Sequence, residues 1–171
     1  MPRSIPAEAL YDACVAGDTA AVSRLPSGGT QLNLSGPDFQ HPASNTTPLI
    51  AAAASGHTDI MRMLLARAPN TAVDQMDMMN VTALLTAALY HNADTIRVLA
   101  DYGADVNFLA PGQLRFTPLR CTVGPIQPGA PPRRPDPDGE RGAAAVRALL
   151  RLGAGSSPQH HPQAGAGNPF F

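Results

Sequence analysis

The sequence predicts an all-α solenoid of about four stacked helix–turn–helix units joined by β-hairpin-like loops. Three observations carry that reading: a recurring motif, a helix-start signal at the head of the best copies, and an apolar stripe with helical spacing behind them. Thr47-Pro48-Leu49-Ile50-Ala51-Ala52-Ala53-Ala54-Ser55-Gly56-His57 is echoed by Thr82-Ala83-Leu84-Leu85-Thr86-Ala87-Ala88-Leu89-Tyr90-His91-Asn92. Thr117-Pro118-Leu119-Arg120-Cys121-Thr122-Val123 repeats it, so the copies start at 47, 82 and 117, a spacing of 35 each time. A degenerate copy, Ala9 to Asp18, precedes them, with Gly17 lying 39 residues before Gly56. The chain therefore divides into a tail (1–6), units at about 7–40, 41–75, 76–109 and 110–153, and a second tail (154–171).

Each unit has its own physical logic. Thr47 and Thr117 suit the N-cap, where a hydroxyl accepts a bond from an otherwise unpaired helix N–H and contributes about 1 kcal/mol. Pro48 and Pro118 then fall at the first helical position, where a missing N–H costs nothing. The short Ala-rich first helix lets neighbouring units approach closely. Gly17 and Gly56 supply left-handed turns into the second helix, and His91 stands at that position in the third unit. The second helices carry the larger apolar groups: Val22 and Leu25, then Ile60, Met63, Leu64 and Leu65, then Ile96, Val98 and Leu99. In the fourth unit the first helix breaks at Gly124-Pro125, and the matching second helix is expected from Ala143. Gly153 lies 50 residues after Gly103, so about 15 residues are inserted between the paired helices; this Pro-rich loop, 125–142, and the Gly/Pro-rich tail from 154 are expected to be disordered.

These residues resemble the ankyrin-repeat family, whose unit of about 33 residues carries a T-P-L-H-x-A signature. Tyr102-Gly103-Ala104-Asp105-Val106-Asn107 is similar to that family's G-A-D-V-N ending, and Asp77-Met78-Met79-Asn80-Val81-Thr82 to its D-x-x-G-x-T hairpin, with Asn80 in place of the left-handed glycine. The resemblance spans roughly 7–123 and 140–153. It implies a non-catalytic protein-interaction module or adaptor. It also leaves open a short kinase-inhibitor-like protein, or the repeat portion of a larger enzyme or ubiquitin-ligase adaptor. The signature histidine, which in the family joins successive repeats through backbone hydrogen bonds, is replaced by Tyr11, Ile50, Leu85 and Arg120. Stability is therefore expected to rest more on apolar stacking. No polar capping helix follows the last unit, which points to association through that uncapped end.

Composition narrows the function. A net charge of -1 gives no footprint for sequence-independent nucleic-acid binding. No segment approaches the roughly 18 apolar residues of a membrane span, so membrane insertion is not expected. Cys14 and Cys121 fall in helical segments, as packing groups in a reducing, intracellular setting, cytoplasmic or nuclear. No phosphate loop, CxxC pair or HExxH pattern occurs, so neither catalysis nor a cofactor is expected, and no metal site either, since His160-His161 lacks further ligands. His57 reads as a capping or surface residue. Asp74, Asp77, Asp101 and Asp105 read as turn formers.

The residues expected to meet a protein partner lie on the hairpin tips and first helices. They are Met76, Met78 and Met79; Leu89 and Tyr90; and Phe108, Leu109, Leu114 and Phe116. Methionine and aromatic groups suit adaptable or dominant contacts, and Tyr90 is the preferred anchor. Asn107 sits in a stretch resembling the ankyrin sequence that an asparaginyl oxygenase hydroxylates. Pro128, Pro131 and Arg133 fit the P-x-x-P-x-R pattern of SH3 ligands.

Overall fold

The computed structural model describes residues 7–24, 41, 45–67, 72–111, 116–123 and 139–155. Within them lie eight helices: α1 (Ala7–Ala16), α2 (Thr19–Ser23), α3 (Pro48–Ser55), α4 (Thr58–Arg67), α5 (Ala83–Leu89), α6 (Ala93–Asp101), α7 (Pro118–Val123) and α8 (Glu140–Arg151). There is no strand among the described residues. Odd-numbered helices pack in succession, α1 on α3, α3 on α5, α5 on α7. Even-numbered helices form a second row, α2 on α4, α4 on α6, α6 on α8, and each pair also packs within itself.

The starts and stops follow the local signals. Thr47, Thr82 and Thr117 each cap their helix, the Oγ1 accepting the N–H of Ile50, Leu85 and Arg120 at 3.3 Å. The first three first helices end in one closing pattern, in which the N–H groups of Asp18, His57 and Asn92 donate to the carbonyls of Ala13, Ala52 and Ala87. That closure needs a left-handed residue just before it. Gly17 (φ 81°), Gly56 (φ 74°) and His91 (φ 59°) provide it.

Packing explains the alanines. Ala52, Ala53, Ala87 and Ala88 are fully buried, so first helices meet almost backbone to backbone. Volume comes from Leu49 and Leu84 in that row and from Ile60, Met61, Leu64, Ile96 and Leu99 behind it, all at 2% exposure or less. Each such side chain contributes about 1.5–3 kcal/mol by leaving water. The spacing placed Ile60, Leu64, Leu65, Ile96, Val98 and Leu99 correctly, whereas Met63 is only half-buried and Met61 takes its expected place. Leu25 lies outside the described residues.

Two boundaries differ from expectation. Helix α8 begins at Glu140 rather than Ala143, because Gly139 (φ 66°) turns the chain and Gly142 is carried inside the helix. Ala154 and Gly155, expected in the tail, belong to the stack: Ala154 is buried and the Gly155 N–H is bonded to Asn107.

Candidate functional site

Between one unit's second helix and the next unit's first helix the chain projects a loop, here called a finger. Each finger closes just before its N-cap threonine. The carbonyls of Thr46, Val81 and Phe116, spaced by the 35-residue period, accept the N–H of His41, Asp77 and Ala110. In the middle finger Asp77 fixes the tip, its Oδ1 accepting the N–H of Met79 (2.8 Å) and Val81 (3.0 Å), while Asn80 takes the left-handed conformation at φ 59°. In the next finger Asp105 Oδ1 accepts the Asn107 N–H at 2.9 Å. These Asx turns are the role expected of Asp77 and Asp105.

Neighbouring fingers are laced together by two residues at corresponding places. The Asp74 carboxylate accepts the Asp105 N–H at 3.2 Å. Asn107 does the same one finger on, its Oδ1 accepting the Gly155 N–H at 2.8 Å and its Nδ2 donating to the Gly153 carbonyl at 3.3 Å. Burial raises the Asp74 pKa, the Asp105 N–H opposes that shift, and the nearby Asp105 charge adds to it. An amide at position 107 carries no such penalty.

A second lacing runs along the opposite end of the first helices. His57 Nε2 lies 3.2 Å from the Val15 carbonyl of the preceding unit, and since a carbonyl only accepts, Nε2 is the donor. Asn92 Nδ2 donates to the Ala53 carbonyl at 2.8 Å. These partners press on the left-handed glycines: a β-carbon on Gly17 would meet the His57 ring at 2.8 Å, and one on Gly56 would meet Asn92 Oδ1 at 3.0 Å. His91 replaces the third glycine and reaches forward, its Nε2 3.2 Å from the Thr122 carbonyl. Side-chain bonding between units is therefore present despite the missing signature histidines, and it adds to the apolar stacking. His57 is an inter-unit tie rather than a surface residue.

The expected contact residues separate into distinct places. Met78 and Met79 stand 62% and 71% exposed on the rigid middle tip, with Met76 beside them at 36%. Leu109 is 42% exposed on the next finger, where Phe108 is half-buried. Phe116 is half-buried under the Arg120 guanidinium, 5.9 Å from its ring centre. Leu89 and Tyr90 are half-buried at the end of α5 remote from the fingers, so Tyr90 does not join the methionines in one patch. Asn107 is half-buried with its amide bonded on both sides. Leu114, Pro128, Pro131 and Arg133 lie outside the described residues. Sequence reasoning missed Asp74 and Asn92 as ties. The available signal for Asn92 was its place directly after the left-handed turn, shared with His57.

Charge is distributed unevenly. By sequence, the middle two fingers and their first helices (72–89 and 102–123) carry Asp74, Asp77 and Asp105 against Arg115 and Arg120. No group of three or more His, Cys, Asp or Glu arranged to hold a metal occurs among the described residues, and no described helix is long and apolar enough to cross a membrane.

A two-row stack with laced fingers defines a repeat solenoid built for surface recognition. A family model of ankyrin repeats, three copies long, matches residues 8–109, and the chain belongs to that family. Ankyrin repeats are generally protein–protein interaction modules and typically non-catalytic. The pair α7–α8 continues the stack beyond the matched residues. No curated protein matches the chain.

Proposed function

We propose that the chain binds a protein partner through the fingers of its two middle units and carries no catalysis of its own. The observation behind this reading is the middle fingertip, where two adjacent methionines are largely exposed on a backbone that Asp77 and Asn80 hold fixed. A fixed loop lowers the ordering cost of binding, while methionine side chains adapt to a partner's shape. Burying Met78 and Met79 against a partner yields about 1.5–3 kcal/mol each. Leu109 extends the surface onto the next finger, and the unpaired side of the Asp105 and Asp77 carboxylates favours a partner with cationic groups nearby.

The test is affinity capture with the full chain and with Met78→Ala/Met79→Ala. Loss of the captured protein with an unchanged melting temperature supports the reading; unchanged capture removes it. Tyr90→Ala is expected to lower the melting temperature as well, because Tyr90 is half-buried. Hydroxylation at Asn107 would have to displace two inter-finger bonds, and intact mass after incubation with an asparaginyl oxygenase decides it. The Pro128 to Arg133 segment is a separate SH3-ligand proposal, decided by titration against SH3 domains.

A further inference from the structure

The two ends of the stack are unlike each other, and corresponding positions show where stacking is incomplete. Ala53, Ala88 and Val123 occupy one register place in successive first helices, 35 residues apart; the alanines are fully buried and Val123 is 69% exposed. In the outer row, Leu150 corresponds to Leu65 and Ala100; Leu65 is 4% exposed, Ala100 half-buried and Leu150 54% exposed. The α7–α8 face thus presents apolar groups that elsewhere in the same stack lie against a following unit. At the other end, α1 buries Leu10, Ala13 and Cys14 against the core and leaves Glu8, Asp12, Val15 and Ala16 exposed. Their i, i+4, i+7, i+8 spacing puts them on one helix face.

We propose that the chain associates head to tail with a second copy of itself, the α1 face of one copy seating on the α7–α8 face of the other. The register is set by the repeat. Position 12 corresponds to 51, 86 and 121, so α1 of a second copy placed one unit beyond α7 brings its Asp12 level with Cys121, beside Arg120. Its Val15 then lies level with the end of α7, beside Val123. Charge selects the same arrangement. The first unit offers Glu8, Asp12 and Asp18 against Arg24 among its described residues. The last offers Arg120, Arg147 and Arg151, with Glu140 and Arg141 offsetting each other. Joining two like ends would oppose charges of one sign, whereas joining unlike ends pairs carboxylates with guanidiniums over a small apolar contact. Such a contact is heterologous, so it extends in one direction rather than closing as a symmetric dimer. It uses neither fingertip methionine and stands apart from the partner-binding proposal.

Sedimentation velocity on the full chain tests it. The average mass is expected to rise above 17.8 kDa as concentration approaches roughly 100 µM and to fall back in about 0.5 M salt, where charge pairing is screened. Arg120→Glu and Asp12→Arg should each be monomeric alone. Mixed in equal amounts they should associate again, because every junction between unlike copies then pairs a carboxylate with a guanidinium. Val123→Asp and Val15→Arg provide a second pair of sites if either charge reversal lowers the melting temperature. A monomer at every concentration, continued self-association of a single variant, or no complex on mixing would overturn the proposal.

Discussion

Replacing Gly56 by alanine probes the lacing between units directly. Two costs add at that position. The residue is held at φ 74°, where a β-carbon costs roughly 1–2 kcal/mol. The new β-carbon would also stand 3.0 Å from Asn92 Oδ1 and push that side chain off the Ala53 carbonyl, which it binds at 2.8 Å. Losing that bond costs about 1 kcal/mol, and more if the carbonyl stays dry. Gly103 separates the terms. It is left-handed too, at φ 88°, but a β-carbon there meets nothing within 4 Å. Gly103→Ala should therefore cost roughly 1–2 kcal/mol, and Gly56→Ala about 1–2 kcal/mol more than Gly103→Ala. Urea denaturation of both variants gives the difference. A cycle with Asn92→Ala isolates it, since Gly56→Ala should cost less once the Asn92 side chain is gone, with a coupling of about 1 kcal/mol. Equal losses at Gly56 and Gly103, or no coupling to Asn92, would refute the idea that the glycine is required by the next unit.

The remaining predictions concern titration and reactivity. Because Asp74 has a raised pKa in the folded chain, the folded state holds its proton more tightly than the unfolded state does. Its ionised form therefore costs stability, and the cost grows as pH rises from the ordinary carboxylate range through the raised value. Asp74→Asn should stabilise the protein at neutral pH and lose that advantage in acid; denaturation curves at both pH values check the sign. Burial pushes the Cys14 thiol up to about 12, so at pH 8 roughly one molecule in ten thousand carries the thiolate. Iodoacetamide should label half-exposed Cys121 in the folded chain and reach Cys14 only on unfolding, read by peptide mass.

What could be read from the sequence was whatever depends on a residue and its near neighbours. Threonine caps, proline at the first helical turn, and left-handed Gly17, Gly56, Asn80 and His91 are local chemistry, and the period multiplied each signal. Contacts set by the placement of the next unit were hidden. His57 looked like a surface histidine because its acceptor, the Val15 carbonyl, is 42 residues away. Asp74 looked like an ordinary turn residue, and Asn107 like part of the repeat ending, because their partners lie one unit further on. Helix α8 was placed too late because Gly142, which costs about 1 kcal/mol relative to alanine, reads as a breaker until packing on α6 and α7 outweighs it. The candidate site was legible in composition but not in grouping. The methionines stand at one end of α5 and Tyr90 at the other, and a linear motif does not say which end faces a partner.

We propose that the middle fingertip, rather than the outer helices, meets the partner. Photo-crosslinking from single positions tests it most directly, with a photoreactive residue at Met79, at Leu109 or at exposed Arg62 on α4. Crosslinks to one shared protein are expected from positions 79 and 109 and none to it from 62. Crosslinks to that protein from 62 alone would contradict it.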